Sequence, residues 1–459
     1  MEKSNGTTHF VGIGGAGMSG IAKILLQQGH KVTGSDLKVT SVTASLERLG
    51  AQVMEGHSSA NLPPGVDVVV VSSAIPDSNP EVQEARRRGI AVIHRGEMLA
   101  RLMNGRRGIA VAGAHGKTTI TSMTAQCLED AGLDPTIVIG GELKSIGGNA
   151  KLGRGQYFVA EADESDGSFL RLRPYIAVVS NVEDDHLDYY ETVENIARAF
   201  QQYIMNVKPE GFSVLCADDP LLREISSRGS QQIVTYGFHP SARYRVEGIC
   251  TRGYSTFGEV YDGKNKLGAL ELKVPGHHNM VNALAAITIS CELGIDFASA
   301  AQSLGSFSGA NRRFQLLGEI NGIKVIDDYA HHPTEIMATL KAARQGNPSR
   351  IIAVFQPHRY TRTKFLHEEF AKAFGDADVV IVNDIYSAGE VPITNVDAQM
   401  VVEGIKKYSN KNTILIAGRN DTIDFLKENS RPGDMVIVLG AGDVWKVGAG
   451  FLQLFAGTC

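Results

Sequence analysis

Residues 109–119 read Ile109-Ala-Val-Ala-Gly-Ala-His-Gly-Lys-Thr-Thr119. The short apolar run Ile109 to Ala112 predicts a buried strand. Gly113 and Gly116 let the backbone turn tightly and approach a ligand closely. Thr119 to Glu129 predicts a helix whose first amides face the loop. A strand, a glycine loop and a helix N-terminus together make an anion site. Lys117, with a fixed charge, and Thr118, with a hydroxyl, suit it to a nucleotide phosphate with Mg²⁺. The usual spacing would put another glycine where Val111 stands. A helix-capping turn that happens to hold a lysine is the bland alternative. It leaves Gly-Lys-Thr directly after an apolar strand unexplained.

A second glycine loop lies at the start of the chain. Gly12-Ile-Gly14-Gly-Ala-Gly17 follows the expected strand His9–Ile13 and opens a helix through Leu26. Asp36 closes the next expected strand, Lys31–Asp36. That is the arrangement of a dinucleotide-binding fold with its acid on a ribose. Alone it favours an NAD-dependent oxidoreductase. Such an enzyme has no use for the loop at 113–118, and a helix N-terminus of this kind accepts any nucleotide diphosphate.

Short apolar runs recur along the chain: 67–72, 91–94, 157–161, 176–180, 213–216, 232–236, 324–327, 350–355, 378–383, 413–416 and 434–439. Helical patterns separate most of them, which predicts parallel sheets. Residues 243–274 alternate and carry turn signals such as Asp262-Gly-Lys, predicting antiparallel strands. Asn279 to Leu293 predicts an amphipathic helix. The expected fold class is α/β with three domains, each built on a mainly parallel sheet. The N-terminal one is Rossmann-like (1–106), the central one P-loop ATPase-like with a small antiparallel portion (107–314), and the C-terminal one Rossmann-like (315–459).

Polar clusters fall where these strands end, the edge at which ligands bind in such sheets. Glu161, Asp163, Glu164 and Asp166 crowd one end, and like charges this close call for a cation. If the strand extends that far, Glu161 and Asp163 share a face. Asn181-Val-Glu-Asp-Asp-His186 marks a second end, where His186 is a candidate for metal or phosphate. Asp327-Asp328-Tyr-Ala-His331-His332-Pro333 and Gln356-Pro-His358-Arg359-Tyr360 follow two later strands. Their spacings do not suit zinc, so contacts to phosphate, carboxylate and sugar are expected instead. Arg312-Arg313 stands at the second expected boundary, where it suits an anion clamp.

Composition sets the limits. With 459 residues, 43% hydrophobic and 21% charged, the chain has material for several cores. A net charge of −5 gives no electrostatic case for nucleic-acid binding. Cys127, Cys216, Cys250, Cys291 and Cys459 form no C-x-x-C pair, so neither a disulfide framework nor a zinc site is expected. No signal-peptide pattern and no run of membrane-spanning length are evident, so the expected location is the cytoplasm, with no membrane partner.

Taken together, Gly113-Ala-His-Gly-Lys-Thr118, Glu161-Ala-Asp-Glu-Ser-Asp166, Asp185-His186 and Asp328-Tyr-Ala-His-His-Pro333 resemble the Mur ligase family. Gly12–Gly20, Val71-Ser-Ser73 and Phe355–Tyr360 resemble the member that adds the first amino acid. Ala114 stands where the family usually has Thr, and Asn311 where it usually has Gly; neither change removes a charge or a metal ligand. The resemblance implies ATP-dependent joining of L-alanine to the carboxylate of UDP-N-acetylmuramate through an acyl phosphate, by a monomer or homodimer. It implies a UDP-sugar site at Gly14, Gly15, Ala16, Gly17, Met18, Ser19, Asp36, Ser72 and Ser73. It implies ATP contacts at Gly113, Ala114, His115, Gly116, Lys117, Thr118 and Thr119, with Asn279 and Asn282 near the adenine. Thr118, Glu161 and His186 would arrange Mg²⁺. Lys117, Arg313, Asp328 and His332 would be catalytic, with His332 or Asp328 accepting the amine proton. Two rivals stay open beside the oxidoreductase: a recycling ligase that adds a tripeptide to the same sugar nucleotide, and a nucleotide-gated switch.

Overall fold

The computed structural model describes residues 6–183, 186–228 and 232–456. Asp184, Asp185 and Cys459 lie outside them. The chain forms two compact units. One comprises Met1–Glu247, Glu259–Ala269 and Val281–Leu304; the other comprises Gly248–Gly258, Leu270–Met280 and Gly305–Cys459. Three sheets organise the fold.

The first sheet holds β1 (Thr7–Val11), β2 (Lys31–Asp36), β3 (Gln52–Glu55), β4 (Val66–Val71) and β5 (Ala91–His94), in the order β3-β2-β1-β4-β5. Every pair is parallel. The order reverses at β1, so its carboxyl end is the topological switch point where a crevice opens. The glycine loop leaves β1 there and enters the helix Ala16–Gln27.

The second sheet holds β6 (Arg107–Ala112), β7 (Thr136–Leu143), β8 (Gly148–Lys151), β9 (Tyr157–Glu161), β10 (Ile176–Val179), β11 (Phe212–Cys216), β12 (Ile233–Gly237), β13 (Tyr244–Arg252), β14 (Ser255–Asp262) and β15 (Asn265–Leu272). Their order is β15-β14-β13-β12-β11-β10-β6-β9-β7-β8. β6 lies between β10 and β9, parallel to both. Its residues Ile109 to Ala112 are fully buried, as expected of a central strand covered on both faces. The helix Lys117–Asp130 follows directly. β7 and β8 pair antiparallel, and sequence reading missed both. β7 carries Gly140-Gly141 and a register irregularity, which disguise its period.

The third sheet holds β16 (Gln315–Ile320), β17 (Ile323–Asp328), β18 (Arg350–Phe355), β19 (Val379–Val382), β20 (Thr413–Leu415) and β21 (Asp434–Leu439), in the order β16-β17-β21-β18-β19-β20. Only the β16–β17 pair is antiparallel. Along β18, Ile351, Ala353 and Phe355 enter one apolar cluster, while Ile352 and Val354 enter another. Both faces are therefore covered, which explains the unbroken apolar run. β16 was missed because it is an edge strand with little buried surface, and Leu316 on it is exposed. Among the described residues no helix is long and apolar enough to cross a membrane.

Candidate active site

The phosphate loop is built on β6 and braced by the end of β10. The Ala114 amide donates to the Asn181 carbonyl at 3.2 Å, and the His115 amide donates to Asn181 Oδ1 at 2.8 Å. The Ser180 hydroxyl donates to the His115 carbonyl at 2.5 Å. Gly113 and Gly116 both adopt positive φ, 133° and 84°. Neither tolerates a side chain: a Cβ on Gly113 would overlap Ser180 Oγ, and one on Gly116 would lie 2.6 Å from Asn282 Oδ1. Thr118 and Thr119 are buried in the first turn of the helix.

Lys117 folds back over its own loop. Its Nζ donates to the Gly113 carbonyl at 2.6 Å and the Ala114 carbonyl at 3.2 Å, and to Glu164 Oε1 at 2.6 Å. Burial alone would lower its pKa, but Glu164, then Asp163 and Glu161, hold it above the ordinary lysine value. The ammonium is therefore charged. Glu164 was noted in sequence only as one of four crowded acids; its place as the lysine's partner depends on the loop's path.

That path also changes an expectation. β9 ends at Glu161, so strand alternation does not carry Asp163 to the same face. Glu161 Oε1 accepts from the Gly140 amide at 2.7 Å. Asp163 turns instead to the guanidinium of Arg95. Burial opposes its ionisation, but Arg95 and Lys117 keep its pKa lowered. Asp166 accepts from the Ser73 hydroxyl and lies 3.2 Å from His94 Nε2. Burial works against it as well; His94, Ser168 and Ser73 hold it far below the usual carboxylate range. His186 has φ 61° and places Nε2 3.6 Å from Glu164 Oε1.

Arg95 and His94 escaped sequence reading. His94 ends β5 and Arg95 follows it, with no motif to flag either. A Cβ on Gly17 would lie 3.0 Å from Arg95 Nη1, so the guanidinium abuts the start of the glycine-loop helix.

In that loop, Gly12 at φ 79° makes the turn, and the amides of Gly12 and Ile13 donate to the Ser35 carbonyl. Asp36 Oδ2 accepts from the Gly14 amide at 2.8 Å, so one carboxylate oxygen serves the loop itself. Gly15, Ala16 and Gly17 lead into the helix, while Met18 and Ser19 are buried on it. The Ser19 hydroxyl donates to the Ala16 carbonyl and lies 3.0 Å from Asn149 Nδ2. Ser72 and Ser73 follow β4 at the same sheet edge.

Asn279 and Asn282 share one face of the helix His277–Glu292, three residues apart. Asn279 Nδ2 donates to the Pro275 carbonyl at 2.7 Å.

In the second unit, Asp328 ends β17. Its carboxylate accepts from the Phe314 and Ala330 amides, each at 2.8 Å. Burial pushes its pKa up to about 6, although Arg313 and the two amides pull the other way. Arg312 and Phe314, on either side of Arg313, both have positive φ. Arg312 Nε donates to Asp327 Oδ2 at 3.1 Å. Arg313 lies over the Tyr329 ring and 3.8 Å from Glu335. The Glu335 carboxylate accepts from the His331 and His332 amides, which fixes the start of the helix Pro333–Arg344. His332 is buried there. His331 and His358 stand 6.0 Å apart, and His358 stacks on Tyr386. Burial holds both imidazoles neutral, with pKa values lowered to about 3 and about 4.

Three family descriptions tile this architecture: Mur ligase family, catalytic domain, over residues 7–107; Mur ligase middle domain over 111–290; and Mur ligase, glutamate ligase domain, over 312–442. The chain belongs to the Mur ligase family. Among Mur ligases, it is similar to a UDP-N-acetylmuramate–L-alanine ligase of Pelotomaculum thermopropionicum, 55% identical over 96% of this chain and 95% of that protein. The enzyme of the same name from Desulforamulus reducens is 53% identical over 96% of each. Among solved structures, the UDP-N-acetylmuramate–alanine ligase of Thermotoga maritima has a TM-score of 0.84 at 30% identity, covering 99% of this chain and 100% of that one. A murein peptide ligase of Psychrobacter arcticus has a TM-score of 0.74 at 26% identity, covering 97% and 98%.

Proposed function

We propose that this Mur ligase joins L-alanine to the carboxylate of UDP-N-acetylmuramate, converting ATP to ADP and phosphate during peptidoglycan precursor synthesis. The observation that carries the proposal is full-length similarity to relatives named for that reaction. The charged Lys117 in its glycine loop supplies the ATP half of the chemistry.

A carboxylate is a poor electrophile and must be activated. The sugar carboxylate attacks the γ-phosphorus, the bond to the bridging oxygen breaks, and ADP leaves with the electron pair. The amine of L-alanine then attacks the acyl carbon, loses a proton, and phosphate departs. Positioning and charge neutralisation supply most of the catalysis in phosphoryl transfer. Lys117 is assigned to the ATP phosphates, the amides of residues 113–119 to their cradle, and Asn279 and Asn282 to the adenine. Gly14 to Ser19, Asp36, Ser72 and Ser73 are assigned to the UDP-sugar. Ser19 and Met18, being buried, serve by shaping the helix start.

The donor set near Lys117 fits Mg²⁺. Glu161 and Thr118 offer oxygen ligands of the kind the ion prefers, and Glu164 Oε2 is buried with no hydrogen-bond partner among the described residues. Thr118, Glu161 and His186 would hold it, and it would supply positive charge against the phosphate oxygens. Arg313 is assigned to the acyl phosphate. The amine proton is assigned to Asp328, whose pKa burial raises to about 6, with His332, four residues further on, as the other candidate acceptor. Activity as a monomer or homodimer in the cytoplasm, where ATP is available, completes the proposal.

The test is phosphate release from ATP and Mg²⁺ with UDP-N-acetylmuramate, with and without L-alanine. Release that needs both, with a product heavier by one alanyl residue, supports the proposal. Release with the tripeptide but not with alanine assigns the chain to recycling instead. No ATP consumption with either refutes both.

A further inference from the structure

Beneath the glycine loop of the first sheet lies a carboxylate with no place in the chemistry above. Glu81, on the helix Pro80–Arg87, is completely buried. His9 Nε2 on β1 lies 2.9 Å from its carboxylate, and the Ser35 hydroxyl on β2 donates to it at 2.6 Å. Asn61 Nδ2 and the Ser58 amide donate to its other oxygen at 2.9 Å and 3.1 Å. His57 Nδ1 lies 3.4 Å away. Burial alone would raise its pKa, but His9, Ser35 and Asn61 bring it down to about 2, so it is charged. A buried charge is a poor source of stability by itself, because desolvation offsets its interactions. Its distinctive feature is that it ties four separate segments to one point.

One of those segments is the seat of the loop. The Ser35 side chain faces Glu81, while its carbonyl accepts both the Gly12 and the Ile13 amides, at 2.8 Å and 2.9 Å. The next residue, Asp36, accepts from the Gly14 amide. We propose that Glu81 is a positioning residue for the sugar nucleotide: through Ser35 it sets the height and angle of the Gly12–Gly17 loop. The proposal rests on the UDP-sugar assignment of that loop.

Two variants test it. Glu81→Gln keeps the shape and removes the charge. Ser35→Ala removes the hydroxyl that joins the carboxylate to the residue seating the loop, at little volume cost, and it decides the matter if Glu81→Gln fails to fold. In folded protein, KM for UDP-N-acetylmuramate should rise about tenfold in each variant. KM for ATP and kcat at saturation should stay unchanged, and calorimetry should show the same loss of sugar-nucleotide affinity without ATP. Unchanged sugar-nucleotide KM, or equal loss for both substrates, overturns the proposal. Wild-type protein that does not bind UDP-N-acetylmuramate refutes the functional assignment instead, so the two failures are distinct.

Discussion

Lys117 Nζ lies 2.6 Å from Glu164 Oε1, so the lysine of the 113–118 loop is paired with a carboxylate. A bound phosphate offers the lysine a replacement partner. Glu164→Gln should therefore lower the melting temperature of ligand-free protein, and saturating ATP should shrink that deficit. Thermal melts with and without ATP check this; an equal deficit in both conditions contradicts it.

Replacing Lys117 by Ala removes the charge assigned above to the ATP phosphates and two bonds to the loop carbonyls. Turnover should fall on the order of a hundred- to a thousandfold. Circular dichroism and sugar-nucleotide affinity should be retained. Near-normal turnover in folded protein would remove Lys117 from the active site.

Gly116 combines φ 84° with Asn282 Oδ1 2.6 Å from where a Cβ would stand. Gly116→Ala should distort the loop and displace Asn282 together, because one methyl group strains both. Calorimetry should show ATP binding lost and UDP-N-acetylmuramate binding kept.

Asp328 carries a pKa raised from 3.8 to about 6. Its ionised form is needed to take a proton, so kcat should fall about tenfold per pH unit below that value. Its effect on stability runs the other way. The folded state holds this proton more tightly than the unfolded chain, so the associated stability is present at low pH and lost as pH rises through about 6. A pH–rate profile beside pH-dependent melts separates the two; a flat rate down to pH 5 rules out Asp328 as the acceptor.

Arg95 touches the acidic loop through Asp163 and the glycine-loop helix at Gly17. Arg95→Gln should raise KM for UDP-N-acetylmuramate several-fold, in the range of a lost charge-assisted hydrogen bond. Initial rates over a sugar-nucleotide titration check it.

Much of the site was legible because its chemistry is local. Lys117, Gly113 and Gly116 announce themselves, since a backbone that must turn tightly around an anion requires glycine in sequence and a cation at a fixed offset. Arg95 and His94 gave no such signal. Their roles come from meeting Asp163 and Asp166, about seventy residues away in the chain. Met18 and Ser19 show the converse: they belong to a legible motif, yet helical geometry turns them inward.

Local residue patterns encode the alternation of apolar strands and helices, the parallel character of the sheets, and the two glycine loops at strand ends. These follow from side-chain period and backbone permissiveness, which act over a few residues. Tertiary structure alone decided which acid meets which base: Glu164 with Lys117, Asp163 with Arg95, Glu81 with Ser35. It also decided which carboxyl group is held near neutrality and which is held ionised. Electrostatic partnership and desolvation depend on distance in space, and spacing along the chain does not encode that distance.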